Sequence, residues 1–571
     1  MNLHVYNPIP HLGPSAVFFV SAVESLCYSM GHKCEDDAGK ALFTAWVAIC
    51  EHIGKIGADD TLMDVTSISF VEKQIDMKPR VAARARQRVP LRGGERTLSM
   101  VDGVSTKIVH SMLVRGATSI LLRYLAPAVM NTFNLHPRMR TLQVKGERFL
   151  AEVRPPLTRN DVTSFALVRV RMVSSVASDA DDMMSGWEQY ADDECSIGFD
   201  RFKQLPFFLT VWVDARERSA RLMLFSDHYM SDGYSGLVVL NGILEQVAIQ
   251  AGGQPGVPQD EPEPEQPPLQ LQELPLRPSL YKMWLSRVAW AKPIMKKRRQ
   301  HQFRAPPVTS GTTALFSQGD PECMKKAVAK CKEENVTVSG ALVGVTLLAF
   351  FHVMKERKSN PSHECFKLAA DLGFNMRRRV PSPVEEDQVG MYTAVTCLDW
   401  LAEGVDMRAT GFWDLARRAK QEFTEKPKHT LAMVLPTVVM DKKINSQMQQ
   451  SFLKGVYLPH SLTLDVSIFN VGRYPYATEH QLSEEDDGIL TVESLHVYHP
   501  LPHLASSATF FVNAVDAFNY SMAHKCENVV GEALFAAIVE LCEGIGRIGT
   551  NEKLLDVLNR VGLRYTGHNY T

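Results

Sequence analysis

Ser226-Asp227-His228-Tyr229-Met230-Ser231-Asp232-Gly233 ends one pattern and opens another. Before it, Arg221 to Phe225 reads as a strand; after it, Tyr234 to Ala251 reads as a helix. A His, an Asp four residues on and a Gly directly after it suit one chemical task. Imidazole has an ordinary pKa of about 6.5, so it accepts a hydroxyl proton near neutral pH without strong tuning. The Asp turns its carboxylate back to fix the local fold. The Gly keeps the space beside the imidazole open. The triplet alone is only suggestive, and its strand–turn–helix setting gives it weight.

Upstream, Phe207 to Val213 and Arg221 to Phe225 alternate around a polar turn, as a hairpin does. Thr106 to Phe133 is apolar at helical spacing, and Leu135-His136-Pro137-Arg138-Met139-Arg140 ends it and leads to a strand. Downstream, Gly252 to Pro268 is an acidic, Pro-rich linker that cannot pack a core. Arg277 to Arg304 carries tryptophans and a Lys296-Lys297-Arg298-Arg299 cluster. That stretch reads as a solvated helix packed by its aromatics, with a membrane-surface helix as the other reading. Thr337 to Lys355 is a strongly apolar helix. Phe366 to Leu372 reads as a strand leading into Gly373-Phe374-Asn375-Met376-Arg377-Arg378-Arg379, with Gly390-Met391-Tyr392 after it. Leu462 to Phe469 is a further strand, ending in Asn470-Val471-Gly472.

The chain also repeats itself. Leu3 to Val65 recurs as Leu495 to Val557 with roughly 37 identities in 63 ungapped positions. Each copy reads as an extended segment, a strand (Ala16 to Met30; Ala508 to Met522) and a helix (Gly39 to Ile53; Gly531 to Ile545). One terminal copy is too few for a solenoid. It reads as the tail of a preceding unit, with a working, swapped or competing module as the alternative. Residues 66 to 90, basic and without a clear period, read as a connector.

The 571 residues suffice for two or three domains with a large core. Hydrophobic residues make up 45% and the net charge is −2, a balance that gives no support for nucleic-acid binding. The ten cysteines lack C-x-x-C spacing and read as free thiols in a reducing compartment. His32 with Cys34, repeated at His524 and Cys526, falls short of a tetrahedral metal set, so no metal is expected. No basic region precedes the first apolar run, so no secretory signal is expected, and no apolar run reaches the length of a membrane span.

Four pieces taken together resemble the CoA-dependent acyltransferase superfamily. They are D-H-x-x-x-D-G at 227 to 233, H-P-x-x-R at 136 to 140, N-x-R-x-R with V-G-M-Y over 375 to 392, and S-x-x-N-x-G at 467 to 472. The superfamily includes condensation domains of peptide synthetases, polyketide-associated acyltransferases, plant BAHD enzymes, wax ester synthases and fungal alcohol O-acetyltransferases. The resemblance spans about residues 90 to 560. Asp227 stands where many relatives have a first histidine; His228 keeps the place of the catalytic one. No D-F-G-W-G follows near the C-terminus, which argues against a BAHD enzyme proper.

The resemblance implies an α/β fold of two chloramphenicol-acetyltransferase-like subdomains, with mixed sheets around a shared channel, plus the duplicated N-terminal strand–helix segment. It divides the chain into the N-terminal copy (1–66), a subdomain carrying His228 (90–251), the linker and basic helix (252–306) and a second subdomain (307–561). The implied reaction is acyl transfer from acyl-CoA to an alcohol, with His228 as general base and no permanently bound cofactor. Asp232 would shape the site through an arginine, Arg377 first and Arg140 second. Gly233 would keep the channel clear, and Asn470 and Gly472 would line it. A small or lipidic alcohol, or an amine, is the expected acceptor. An acyl carrier protein as donor, an amide-forming condensation enzyme and a catalytically inactive relative stay open. The expected location is cytoplasmic, with peripheral membrane contact and a place in lipid metabolism also left open.

Overall fold

The computed structural model describes residues 16–22, 26–32, 87–91, 93–99, 106–147, 149–173, 186–214, 219–252, 313–354, 365–378, 384–424, 464–483, 488–500 and 506–561. It divides into two compact units, Met1–Ala83 and Arg84–Thr571.

In the first unit, strands Ala16–Ala22 and Leu26–His32 pair antiparallel, from Ala16 opposite His32 to Ala22 opposite Leu26. The sequence reading had one strand here and one in the second copy. Each is a hairpin: Ser506–Ala514 pairs with Phe518–His524 in the same register, from Ala508 opposite His524 to Ala514 opposite Phe518. The physical reason is reach, since a single strand of this length would run about 50 Å at 3.3 Å per residue. The Val515-Asp516-Ala517 turn folds it back, and the backbone N–H of Val515 bonds the carbonyl of Ala517. The expected helix at 39–53 lies outside the described residues, as does nearly all of the Pro-rich linker and all of the basic stretch after it.

The second unit is built on two six-stranded mixed sheets. The first runs Glu479–Gln481, Ile489–Tyr498, Lys107–Gly116, Ser219–Asp227, Phe207–Asp214, Val168–Val173, with the last pair parallel. The second runs Thr313–Gln318, Phe518–His524, Ser506–Ala514, Leu464–Arg473, Ala370–Asn375, Thr393–Cys397, with Leu464–Arg473 parallel to both its neighbours. Two strands from the far end of the chain, Glu479–Gln481 and Ile489–Tyr498, therefore complete the sheet that carries His228.

The helical reading of Thr106 to Phe133 is corrected. Lys107–Gly116 is a strand, and only Thr118–Leu135 is a helix. Lys107 to Met112 is buried at every position, so both faces of the strand are covered and the two-residue alternation disappears. The end of the connector is also structured: Gln87–Pro90 pairs with Leu150–Val153. The strand expected from Phe366 to Leu372 runs instead from Ala370 to Asn375, with Cys365–Phe366 paired separately to Val405–Asp406.

Helices Thr118–Leu135 and Ser235–Ala251 cover one face of the first sheet through Leu121, Leu125, Val129, Leu237, Leu240 and Leu244. The second sheet buries Leu372, Ile468, Phe510 and Met522 against Val338–Met354 and Asn528–Gly544. Val338–Met354 is apolar all round, as a buried central helix is. Among the described residues no single helix is long and apolar enough to cross a membrane. A third cluster joins the two sheets, with Val109, Met223 and Phe225 packing with Tyr498, Ala523 and Phe316.

Candidate active site

The turn after Ser219–Asp227 is tied down at both ends. The backbone N–H of His228 bonds the Thr106 carbonyl at 2.9 Å, and that of Met230 bonds the Asp227 carbonyl at 3.0 Å. Asp227, in the place of the relatives' first histidine, is buried and anchors the turn. Arg201 donates Nε to its Oδ2 at 2.7 Å and Nη2 to its Oδ1 at 3.0 Å, and Thr106 Oγ1 donates at 2.6 Å. A bidentate, hydrogen-bonded partner of this kind is what an interior carboxylate requires.

His228 lies 2.7 Å through Nδ1 from the Ser231 carbonyl. A carbonyl only accepts, so Nδ1 carries the proton and Nε2 of the neutral ring keeps its lone pair. The ring is partly exposed. Burial leads in pulling its pKa below the ordinary value; the Ser231 carbonyl, Asp232 and Asp227 push the other way.

Asp232 has no exposed surface. Its Oδ2 accepts from Arg377 Nη1 at 3.0 Å and from the Tyr392 backbone N–H at 2.9 Å; its Oδ1 accepts from Arg377 Nη2 at 3.3 Å and from the Ser235 N–H at 2.8 Å. Burial would raise this carboxyl, but the Arg377 charge and the bonds from Arg377 and Ser235 outweigh it and hold it below the carboxylate range. Arg377 is equally buried, donates to the Gln388 carbonyl at 2.7 Å and lies over the Tyr392 ring at 4.5 Å. The N-x-R and V-G-M-Y pieces thus meet on one carboxylate. The first supplies a guanidinium, the second a backbone N–H, and both come from the second half of the chain.

Arg140 is not part of this group. It donates to the Arg154 carbonyl at 2.6 Å and lies 3.5 Å from the Asn134 carbonyl. Arg138, two residues earlier in the same 3-10 turn, reaches the site instead and donates to the Tyr392 hydroxyl at 3.3 Å. Gly233 faces Val471: a Cβ there would meet the Val471 side chain at 3.4 Å, an ordinary contact. The strand end 470–472 is therefore brought against the His228 turn. Asn470 uses its amide on its own surroundings, donating to Ser339 Oγ at 3.0 Å and accepting from the Gly472 N–H at 3.0 Å. Gly472 is in the left-handed region, φ +96°.

Sequence reading missed four groups. Ser235 Oγ lies 2.7 Å from Asp232 Oδ1 and 2.9 Å from the Gly390 carbonyl, and so bridges the halves. His110 donates Nε2–H to the Gly233 carbonyl at 2.8 Å, and burial lowers its pKa to about 4. Its ring occupies the space of a side chain at Gly236, where a Cβ would lie 2.2 Å from it, so within this turn and helix start 236 is a position that calls for glycine. His499 stands edge to face with His228, ring centroids 4.9 Å apart. Ser235 and Gly236 sit directly after the motif and were within its reach. His110 and His499 arrive from other strands and carry no local signal.

Residues 204–486 match the family model for alcohol acetyltransferase. Among solved structures, trichothecene 15-O-acetyltransferase from Fusarium sporotrichioides is similar at 12% identity and a TM-score of 0.60, over 80% of this chain and 95% of that one. The cyclization–docking bidomain EpoB from Sorangium cellulosum is similar at 13% identity and a TM-score of 0.52, over 94% and 97%. The first condensation domain of the CDA synthetase is similar at 10% identity and a TM-score of 0.53, over 82% and 98%. No curated protein matches by sequence. The family model spans just under half of the chain, and the solved structures share its two-subdomain α/β fold; both are in line with the resemblance to the CoA-dependent acyltransferase superfamily.

Proposed function

We propose that the chain transfers an acyl group from acyl-CoA to an alcohol, with His228 as the general base. The observation that carries this reading is the Ser231 carbonyl on His228 Nδ1, which leaves Nε2 as the basic nitrogen. In this reading Nε2 accepts the hydroxyl proton as the acceptor oxygen attacks the thioester carbonyl. The tetrahedral intermediate then collapses, the C–S bond breaks, and the imidazolium returns the proton to the departing thiolate. Atoms balance with no acyl-enzyme. Asp232 does not touch the reacting groups; with Arg377, Ser235 and the Tyr392 N–H it holds the turn that presents His228. The lowered pKa of His228 supports the same role, because it keeps the ring unprotonated at neutral pH.

The test is thiol release from acetyl-, medium- and long-chain acyl-CoA, with a panel of alcohols and amines, comparing wild type with His228→Ala. Acceptor-dependent release that falls at least about 100-fold in the variant is expected, the usual scale for a general base. Unchanged release in the variant would remove His228 from the mechanism. Release from an acyl carrier protein and none from acyl-CoA would reassign the donor.

A further inference from the structure

His499 directly follows the Ile489–Tyr498 strand, whose Tyr498 sits opposite Val109. Its ring meets that of His228 at 4.9 Å between centroids and an interplanar angle of 90°. The residue is buried, and the polar group its ring faces is the Lys107 backbone.

The charges around His228 are already matched. On its own turn, Asp227 is paired with Arg201 and Asp232 with Arg377. From the Lys107–Gly116 strand come Lys107, whose Nζ is 2.6 Å from Glu194, and His110, bonded to the Gly233 carbonyl. From the strand end at 499 comes a buried imidazole. The Ser231 carbonyl and the two carboxylates still favour the protonated ring, so exclusion of water is what opposes protonation.

We propose that His499 is a positioning residue for His228: its ring walls one face of the base against water and holds its orientation, so that the base stays neutral. The inference rests on the reading of His228 as the base. Burial as the leading cause of the lowered His228 pKa agrees with it. The internal repeat agrees as well. Leu3-His4-Val5-Tyr6-Asn7-Pro8 matches Leu495-His496-Val497-Tyr498-His499-Pro500 everywhere except at this position. Residues 1–83, where the histidine is replaced by Asn7, contain no His-x-x-x-Asp-Gly stretch for it to serve.

Two variants of the full chain test this. His499→Ala removes the wall; His499→Phe keeps the ring and removes both nitrogens. Each is followed by the acid limb of kcat/KM for acyl transfer. Each is also followed by NMR titration of the 15N-labelled His228 ring, assigned with His228→Ala. In the alanine variant both measures move up toward 6.5, by about half a unit or more, as water reaches the ring. In the phenylalanine variant both stay at the wild-type position. An unmoved His228 titration in the alanine variant overturns the proposal. An equal shift in both variants also overturns it, since the nitrogens would then matter and not the wall. The titration needs no turnover. A shift in the alanine variant, together with full activity of His228→Ala, would uphold the contact while removing the general-base reading.

Discussion

Asp232 shows how a fully buried charge is kept ionised. Arg377 offers it a planar fork, and Ser235 and the Tyr392 N–H fill the remaining lone pairs. A lysine at 377 would keep the charge but lose the fork and the reach to the Gln388 carbonyl. Arg377→Lys is expected to lower stability by about 2 kcal/mol or more, and Arg377→Ala by about 3–5 kcal/mol, because the carboxylate would be left buried without a counter-charge. Urea unfolding checks both, and an unchanged midpoint in the alanine variant would contradict the pairing. The N-x-R pattern pointed to Arg377, and the structure puts that side chain on Asp232. Arg140, the second choice, lies elsewhere, and the approach of Arg138 to the site had no sequence signal. In a 3-10 turn of four residues, Pro137–Arg140, the two side chains diverge, and packing decides which one faces Tyr392.

At the scale of elements, the junction of Lys107–Gly116 with Thr118–Leu135 carries the most information. Gly116 has φ +113°, and a Cβ there would lie 1.9 Å from the Ile489 carbonyl oxygen. That carbonyl also accepts from the Ala117 N–H at 3.0 Å, so it cannot retreat freely. Gly116→Ala is therefore expected to cost about 2 kcal/mol or more, seen as a lower thermal midpoint; a midpoint equal to wild type would mean the junction rearranges. The same junction explains the misread helix. A strand covered on both faces and the helix that follows it form one apolar run, and the break is visible only through the backbone angle of Gly116. The hairpins at 16–32 and 506–524 are a second case. The apolar pattern is continuous enough to suggest one strand, while the fold back is enforced by the size of the sheet.

At the scale of the whole molecule, residues 84–571 contain both sheets and every group placed around His228. Deleting residues 1–83 is expected to leave thiol release within about two-fold of the full chain, since every bond and ring contact described around the site is made by residues 84–571. Loss of activity on deletion would give the N-terminal copy a working role. Acid sensitivity is the other global property. His110 and His136 are buried with pKa values near 4 in the fold, against about 6.5 unfolded. Between these limits the unfolded chain binds more protons, so stability rises with pH and is lost as pH falls from about 6.5 to about 4. Each residue contributes at most on the order of 3 kcal/mol. Asp232, with its lowered carboxyl, adds a further loss at pH below the ordinary carboxylate value. A thermal midpoint that is flat from pH 6.5 to 4 would contradict the burial of both histidines.

The sequence by itself determined the strand–turn–helix at His228 and the internal repeat, and its motifs, through the resemblance they carry, put Arg377 first and Arg140 second as the partner of Asp232. Each is written in short, ordered motifs whose spacing survives without coordinates. Tertiary structure alone decided which groups from distant strands close on that turn: Ser231's carbonyl on Nδ1, Tyr392's N–H on Asp232, His110 under Gly233 and His499 against the base. Backbone N–H and C=O groups are the same at every residue, and a lone histidine in an apolar strand has no periodic signature. Only the pairing of strands hundreds of residues apart gives such groups their place.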